Sequence, residues 1–179
     1  MDKQDILRLC RDCAASIYGT APPSPQYAER VAKLLFMTAA HESLAFRFRR
    51  QIGFRRETCT GAFGLWQCEL ASIEASIDLI HRPDRRPLRD RCLAWLDRWP
   101  GLEDVDLSHR TLGIALLALQ EPRGDPLSCL LARLHYLRVP EAVPATVQDM
   151  AVYAKAHYNT RLGKATAANY LSAYEKWWK

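Results

Sequence analysis

No stretch of this chain is apolar enough for long enough to span a bilayer. The longest uninterrupted apolar run, Leu112–Leu119, has eight residues, against the roughly 20 that a membrane helix needs. The N-terminus reads MDKQDILRLCRDC. It is charged and amphipathic and has no apolar core, so no Sec-type signal is expected. Lysine is scarce: 19 of the 25 basic residues are arginine. A zinc framework is also missing. Cys10-x-x-Cys13 has no second CxxC, and no pair of histidines sits at zinc spacing. There is no internal repeat, low-complexity segment or interdomain linker.

What is present fits an ordinary folded protein. The chain has 179 residues and 20.4 kDa, is 49% hydrophobic and 25% charged, and is expected to form one domain over 1–179. That composition excludes a mainly disordered chain. A domain of this size buries roughly two-thirds of its unfolded surface, enough for a core without disulfides or metals. The six cysteines are Cys10, Cys13, Cys59, Cys68, Cys92 and Cys129. In a chain without a signal they are expected to be free thiols in a reducing cytosol. Cys10 and Cys13 share a helical face with Ile6 and Ile17, as buried thiols would. The net charge of +5 and pI near 9.0 favour acidic partners: nucleic acid, anionic membrane or cell-wall polymer. Charge alone does not choose among them.

Helical spacing dominates. Ile6, Leu7, Cys10, Ala14, Ile17 and Tyr18 follow a 3-4 pattern. The run from Ala21 to Pro25 stops that helix, and Ser24-Pro25 caps a second one reaching about Glu42. Ala45 to Arg49 alternates apolar and polar residues, as a short strand would. Gly53, Gly61 and Gly64 follow, which predicts an irregular loop or small hairpin. Further helices are predicted at 69–81, 87–98, 108–120, 126–137, 146–158 and 166–178, the last capped by Thr166. The expected class is mainly α.

Three segments stand out for chemistry. Glu42-Ser43 closes an apolar helix, where partial desolvation would raise the carboxyl pKa as a general acid requires. Gly61-Ala62-Phe63-Gly64-Leu65-Trp66-Gln67 offers close backbone approach, an indole for sugar stacking and an amide for polar groups. Ala156-His157-Tyr158-Asn159 ends a later helix. His41 and His157 are read as packing or solvated residues, and Trp177-Trp178 as closing a core or an interface.

In order and texture these segments resemble the lytic transglycosylase family, within the lysozyme-like superfamily. That family carries a Glu-Ser at a helix end, a Gly-Ala-x-Gly-Leu-Met-Gln-like segment, and an Ala-x-Tyr-Asn-like segment. The 18 residues between Glu42 and Gly61 also look like the family. The tail from Tyr158 to Thr166 resembles small bacteriophage-encoded members. Trp66 stands where the family has Met, Thr160 stands where a Gly often follows, and the gap from Gln67 to Tyr158 is long.

The resemblance implies a lysozyme-like helical domain with a small irregular or hairpin region after the Glu-bearing helix. It implies cleavage of the β-1,4 bond between N-acetylmuramic acid and N-acetylglucosamine, with Glu42 as single acid and base. Ser43, Gly64, Leu65, Trp66, Gln67, Tyr158 and Asn159 would line the substrate, with no metal or other cofactor. A hydrolase would need a second carboxylate, for which Glu57 and Glu69 are the candidates. Arg47, Arg49, Arg50, Arg55 and Arg56 would attract an anionic glycan. The implied partners are peptidoglycan strands and other phage virion or tail proteins, with no nucleic acid. The protein would be made in the bacterial cytoplasm, ride with the virion and act at the periplasm or cell wall. Two readings of other classes stand beside this one. The first is an inactive virion subunit. The second is a nucleic-acid-binding helical module using Arg82, Arg85, Arg86, Arg89 and Arg91 on a helix together with the arginine cluster at 47–56, for which no recognition-helix signature is present.

Overall fold

The structure is a computed structural model and describes residues 1–49, 61–159 and 164–178. The described residues form eight α-helices and one two-stranded antiparallel sheet. The helices are α1 (Lys3–Ser16), α2 (Pro25–Glu42), α3 (Leu70–His81), α4 (Arg86–Leu96), α5 (Leu112–Ala118), α6 (Asp125–Leu137), α7 (Val147–His157) and α8 (Ala167–Trp177). Strands β1 (Ala62–Phe63) and β2 (Cys68–Glu69) pair Ala62 with Glu69 and Phe63 with Cys68. None of the described helices is long and apolar enough to cross a membrane.

The caps follow local chemistry. Ser24 accepts the Tyr27 N–H at 3.2 Å, and Pro25 takes the first helical position, where its missing N–H costs nothing. Thr166 and Asn169 form a reciprocal capping box at the start of α8, and Asp2 and Asp5 do the same for α1.

Helix α2 is the axis of the molecule. Every residue from Leu34 to Ala40 is buried, so this stretch is enclosed all round rather than on one stripe. The helix packs against α1, α6, α7 and α8. The buried apolar side chains form one cluster running from α1 to α8. At its end this central helix carries Glu42 to the junction of α7, α8 and the hairpin. Cys10, Cys13, Cys68, Cys92 and Cys129 are buried free thiols, and Cys59 lies outside the described residues.

The strand expected at 45–49 does not form. Leu44, Ala45 and Phe46 are all left-handed, with φ of 48°, 65° and 64°. Each such non-glycine residue costs roughly 1–2 kcal/mol locally. Tertiary contacts hold the arch. The Ser43 hydroxyl accepts the Phe46 N–H at 2.8 Å, the Ala45 N–H reaches the Ala40 carbonyl at 2.9 Å, and the Phe46 ring packs 5.3 Å from Phe36. Alternation of side chains cannot report a backbone held this way.

Candidate functional site

Glu42 is the last residue of α2 and is half-buried. Its carboxylate accepts the hydroxyl hydrogen of Tyr170, from α8. The side chain of Asn159, just past α7, acts on the carboxyl as a polar neighbour that favours its charged form. Asn159 Oδ1 accepts from Lys155 Nζ at 3.0 Å. Burial raises the carboxyl pKa above its ordinary value. The Tyr170 hydrogen bond, the Asn159 side chain and the charge of Lys155 oppose that rise, and the charge of Glu69 adds to it. The negative end of the α2 dipole acts in the same direction as burial. The net result is a carboxyl biased toward holding its proton, at a helix end that three other elements converge on.

Tyr170 is the site residue that sequence reasoning missed. Its own hydroxyl is pushed to a higher pKa by burial and by Glu42, so it stays a donor. The ring of His41 packs 4.1 Å from it, and burial lowers the His41 pKa. No spacing rule links position 170 to position 42. The only local signal was a tyrosine one turn into a capped helix.

The hairpin sits beside this carboxylate and works largely as structure. Trp66 is fully buried, and its indole N–H donates to the Leu35 carbonyl at 2.8 Å. A ring with no exposed face cannot stack on a sugar, so the expected stacking role is corrected to a core role. Leu65 is also fully buried. Gly64 has φ of +73°, and a Cβ there would lie 2.1 Å from the Ser128 hydroxyl oxygen. The close approach it permits is to α6, not to a ligand. The same Ser128 hydroxyl accepts the Trp66 backbone N–H at 3.2 Å.

Ser43 is buried, and its hydroxyl donates to the Ala39 carbonyl at 2.6 Å while accepting from Phe46. With its one proton used inside the helix cap, it holds the arch after Glu42 rather than a substrate. Gln67 is half-buried and left-handed, with φ of 47°. Its amide nitrogen donates to the Gly64 carbonyl at 2.8 Å and reaches the Phe48 carbonyl at 3.4 Å. It therefore ties the hairpin to the arch.

Tyr158 joins the second and third segments directly. Its hydroxyl donates to the Trp66 carbonyl at 2.6 Å and lies 3.5 Å from Cys68 Sγ. Burial pushes the Cys68 thiol up to about 11. The structure thus brings Glu42, Asn159, Tyr158 and the hairpin together. Of the expected residues that are described, Asn159 acts on the Glu42 carboxyl, while Tyr158 and Gln67 bond to backbone carbonyls of the hairpin. Glu69 is exposed at the end of β2 and close enough for its charge to act on Glu42. Glu57 lies outside the described residues.

The arginine cluster divides. Arg49 makes a two-pronged ion pair with Asp125, both bonds 2.7 Å, and Asp125 is fully buried at the start of α6. Arg49 is therefore structural, not substrate-facing. Arg47 is exposed, and Arg50, Arg55 and Arg56 lie outside the described residues, as does Thr160. Among the α3–α4 arginines, Arg91 donates to the Tyr18 and Gly19 carbonyls at 2.6 and 2.7 Å. Arg85 pairs with Asp84, and Arg86 and Arg89 lie beside Asp90. Trp178 packs edge-on against Phe36 and stacks on Tyr174, and Trp177 contacts Phe46.

Among the described residues no group of three or more His, Cys, Asp or Glu is arranged to hold a metal ion. Comparison of the chain with protein families, curated proteins and solved structures finds no match.

Proposed function

We propose that this protein is a peptidoglycan-cleaving lytic transglycosylase with a lysozyme-like helical fold. The observation that carries the reading is the Glu42 carboxyl, desolvated at the end of the central helix and held by Tyr170, with Asn159 acting on it. A carboxyl biased toward its protonated form is what a general acid at neutral pH needs. The short hairpin after the Glu-bearing helix also accords with the fold.

Glu42 donates its proton to the glycosidic oxygen as the bond to the muramic acid C1 breaks. The resulting carboxylate then accepts the proton of the muramic acid C6 hydroxyl, whose oxygen closes on C1 to form the 1,6-anhydro ring. The proton lost in the first half is regained in the second, and no water enters. General acid–base catalysis of this kind supplies about 10² to 10⁴ in rate. Stabilisation of the oxocarbenium-like state supplies more. Asn159 and Tyr170 orient the carboxylate through both halves.

Glu69 supports a second reading, hydrolysis of the same bond. Its charge acts on Glu42, and an exposed carboxylate in that position would activate water. The basic module reading is weakened by the internal partners of Arg91 and Arg49 and by the carboxylates beside Arg85, Arg86 and Arg89. Partners in this proposal are glycan strands and, for delivery, other virion or tail proteins of a bacteriophage.

Purified protein and Glu42→Gln incubated with peptidoglycan, with released fragments weighed by mass spectrometry, test the proposal. Anhydro-muropeptides from the wild type alone are expected. Reducing-end products would transfer the assignment to the hydrolase. No release at any pH tried would sink both.

A further inference from the structure

His135, on α6, is half-buried and packs behind Tyr158. Its Nε2 is 2.6 Å from the carbonyl oxygen of His157. A carbonyl only accepts, so Nε2 carries the proton and Nδ1 is an acceptor. Nδ1 accepts from the Ser72 hydroxyl at 2.7 Å and from the Arg138 guanidinium at 2.8 Å. Three groups, one on α3, one at the end of α7 and one just past α6, thus select one neutral tautomer. The ring also packs 4.8 Å from Tyr158.

His157 closes α7, where the last carbonyls have no helical partner. His135 supplies the missing donor at the point where the chain leaves the helix. Tyr158 and Asn159 are the next two residues. Tyr158 is pinned to the Trp66 carbonyl, and the Asn159 side chain, whose Oδ1 accepts from Lys155, acts on Glu42 to favour its charged form.

We propose that His135 is a positioning residue for the site. Held by Ser72 and Arg138, it fixes the end of α7 through the His157 carbonyl and so seats Asn159 against Glu42. The catalytic meaning of this rests on the reading of Glu42 as the acid–base group. The seating of Asn159 is measurable without any substrate.

The groups acting on Glu42 are Tyr170 from α8, Asn159 and Lys155 from the α7 side, and Glu69 from the hairpin. The Asn159 side chain favours the charged carboxylate, so loosening it moves the Glu42 titration upward. Carbon-13 NMR of labelled glutamate carboxyls is read in wild type, His135→Leu, Ser72→Ala, Asn159→Ala and the His135→Leu/Asn159→Ala double variant. The Glu42 titration is expected to rise in His135→Leu and Asn159→Ala, less in Ser72→Ala, and no further in the double variant than in Asn159→Ala.

On peptidoglycan, kcat of His135→Leu is expected to fall about 10-fold or more with KM little changed, because misplacement reaches the reacting group and not the binding surface. His135→Gln, whose amide can donate to the His157 carbonyl, is expected to recover part of that loss. A Glu42 titration unmoved by His135→Leu, or shifts that add in the double variant, would overturn the proposal. If His135→Leu fails to fold, an unmoved titration in Ser72→Ala overturns it instead. Absence of cleavage by wild type would sink the transglycosylase reading while leaving the titration result standing.

Discussion

The Tyr170 hydroxyl donates to the Glu42 carboxylate from 128 residues further along the chain. The same tyrosine ring packs against His41, the residue just before Glu42. Consecutive helical residues point about 100° apart, so one side chain from α8 spans two directions at the end of α2. Glu42 is thereby held in place by α8.

Removing that hydroxyl is expected to cost activity more than stability. In Tyr170→Phe the carboxylate loses a hydrogen bond of the kind worth about 1.5–3 kcal/mol to a charged group. Turnover of peptidoglycan should fall roughly 10- to 100-fold. The Glu42 pKa should rise further, because the lost contact favoured the charged form, and the high-pH limb of the activity profile should move up. Steady-state rates across pH check both.

Glu42→Gln should abolish cleavage while leaving the protein as stable as wild type, or more so, at neutral pH. The folded pKa of Glu42 lies above its ordinary 4.5. Such a group favours folding when protonated, and that contribution is lost as pH rises from 4.5 through the folded pKa. The Tm advantage of Glu42→Gln should therefore be present at pH 7 and vanish below pH 4.5. Thermal melts of both proteins at several pH values read this directly.

Arg49→Met should destabilise the fold by about 3–5 kcal/mol, the cost of leaving a buried carboxylate without its partner. Asp125 is fully buried, and burial already raises its pKa despite Arg49. Arg47→Met, at an exposed position a few residues away, should change stability by no more than about 0.5 kcal/mol. Urea denaturation of the two variants separates the structural arginine from the surface one.

His135 should make the protein acid-sensitive. Burial holds its folded pKa at about 4, below the ordinary 6.5. Between those values the unfolded chain binds the extra proton, so stability is full above pH 6.5 and declines as pH falls toward 4. The full loss is about 3 kcal/mol. In His135→Gln the decline over this window should be shallower, as followed by urea midpoints from pH 7 to pH 4.

Much of the helical frame was legible locally. Ser24-Pro25 and Thr166 mark helix starts because a side-chain oxygen and a backbone N–H a few residues on need no distant partner. The helices expected at 69–81, 126–137 and 146–158 appear as Leu70–His81, Asp125–Leu137 and Val147–His157. Glu42 and Asn159 were both singled out by the sequence as candidate site residues, and the Asn159 side chain acts on the Glu42 carboxyl. The arch at 44–46 was not legible, because its left-handed backbone is held by Phe36 and by the cap of α2 rather than by its own residues. Trp66 was misread for a related reason. An indole beside glycines looks exposed in sequence, and only the packing of α2 beneath it shows the ring enclosed.

By itself the sequence determined the helical class, the main helix boundaries, the absence of a membrane-length apolar run and the three segments that frame Glu42. Those follow from periodicity, caps and composition, which act over a few residues. The tertiary structure alone decided which residues act on the carboxylate and which support it. Tyr170 and His135 joined the site, while Ser43, Gly64, Leu65, Trp66 and Arg49 became its scaffold. Burial and hydrogen-bond partnership depend on groups up to 128 residues apart, and no local pattern carries that distance.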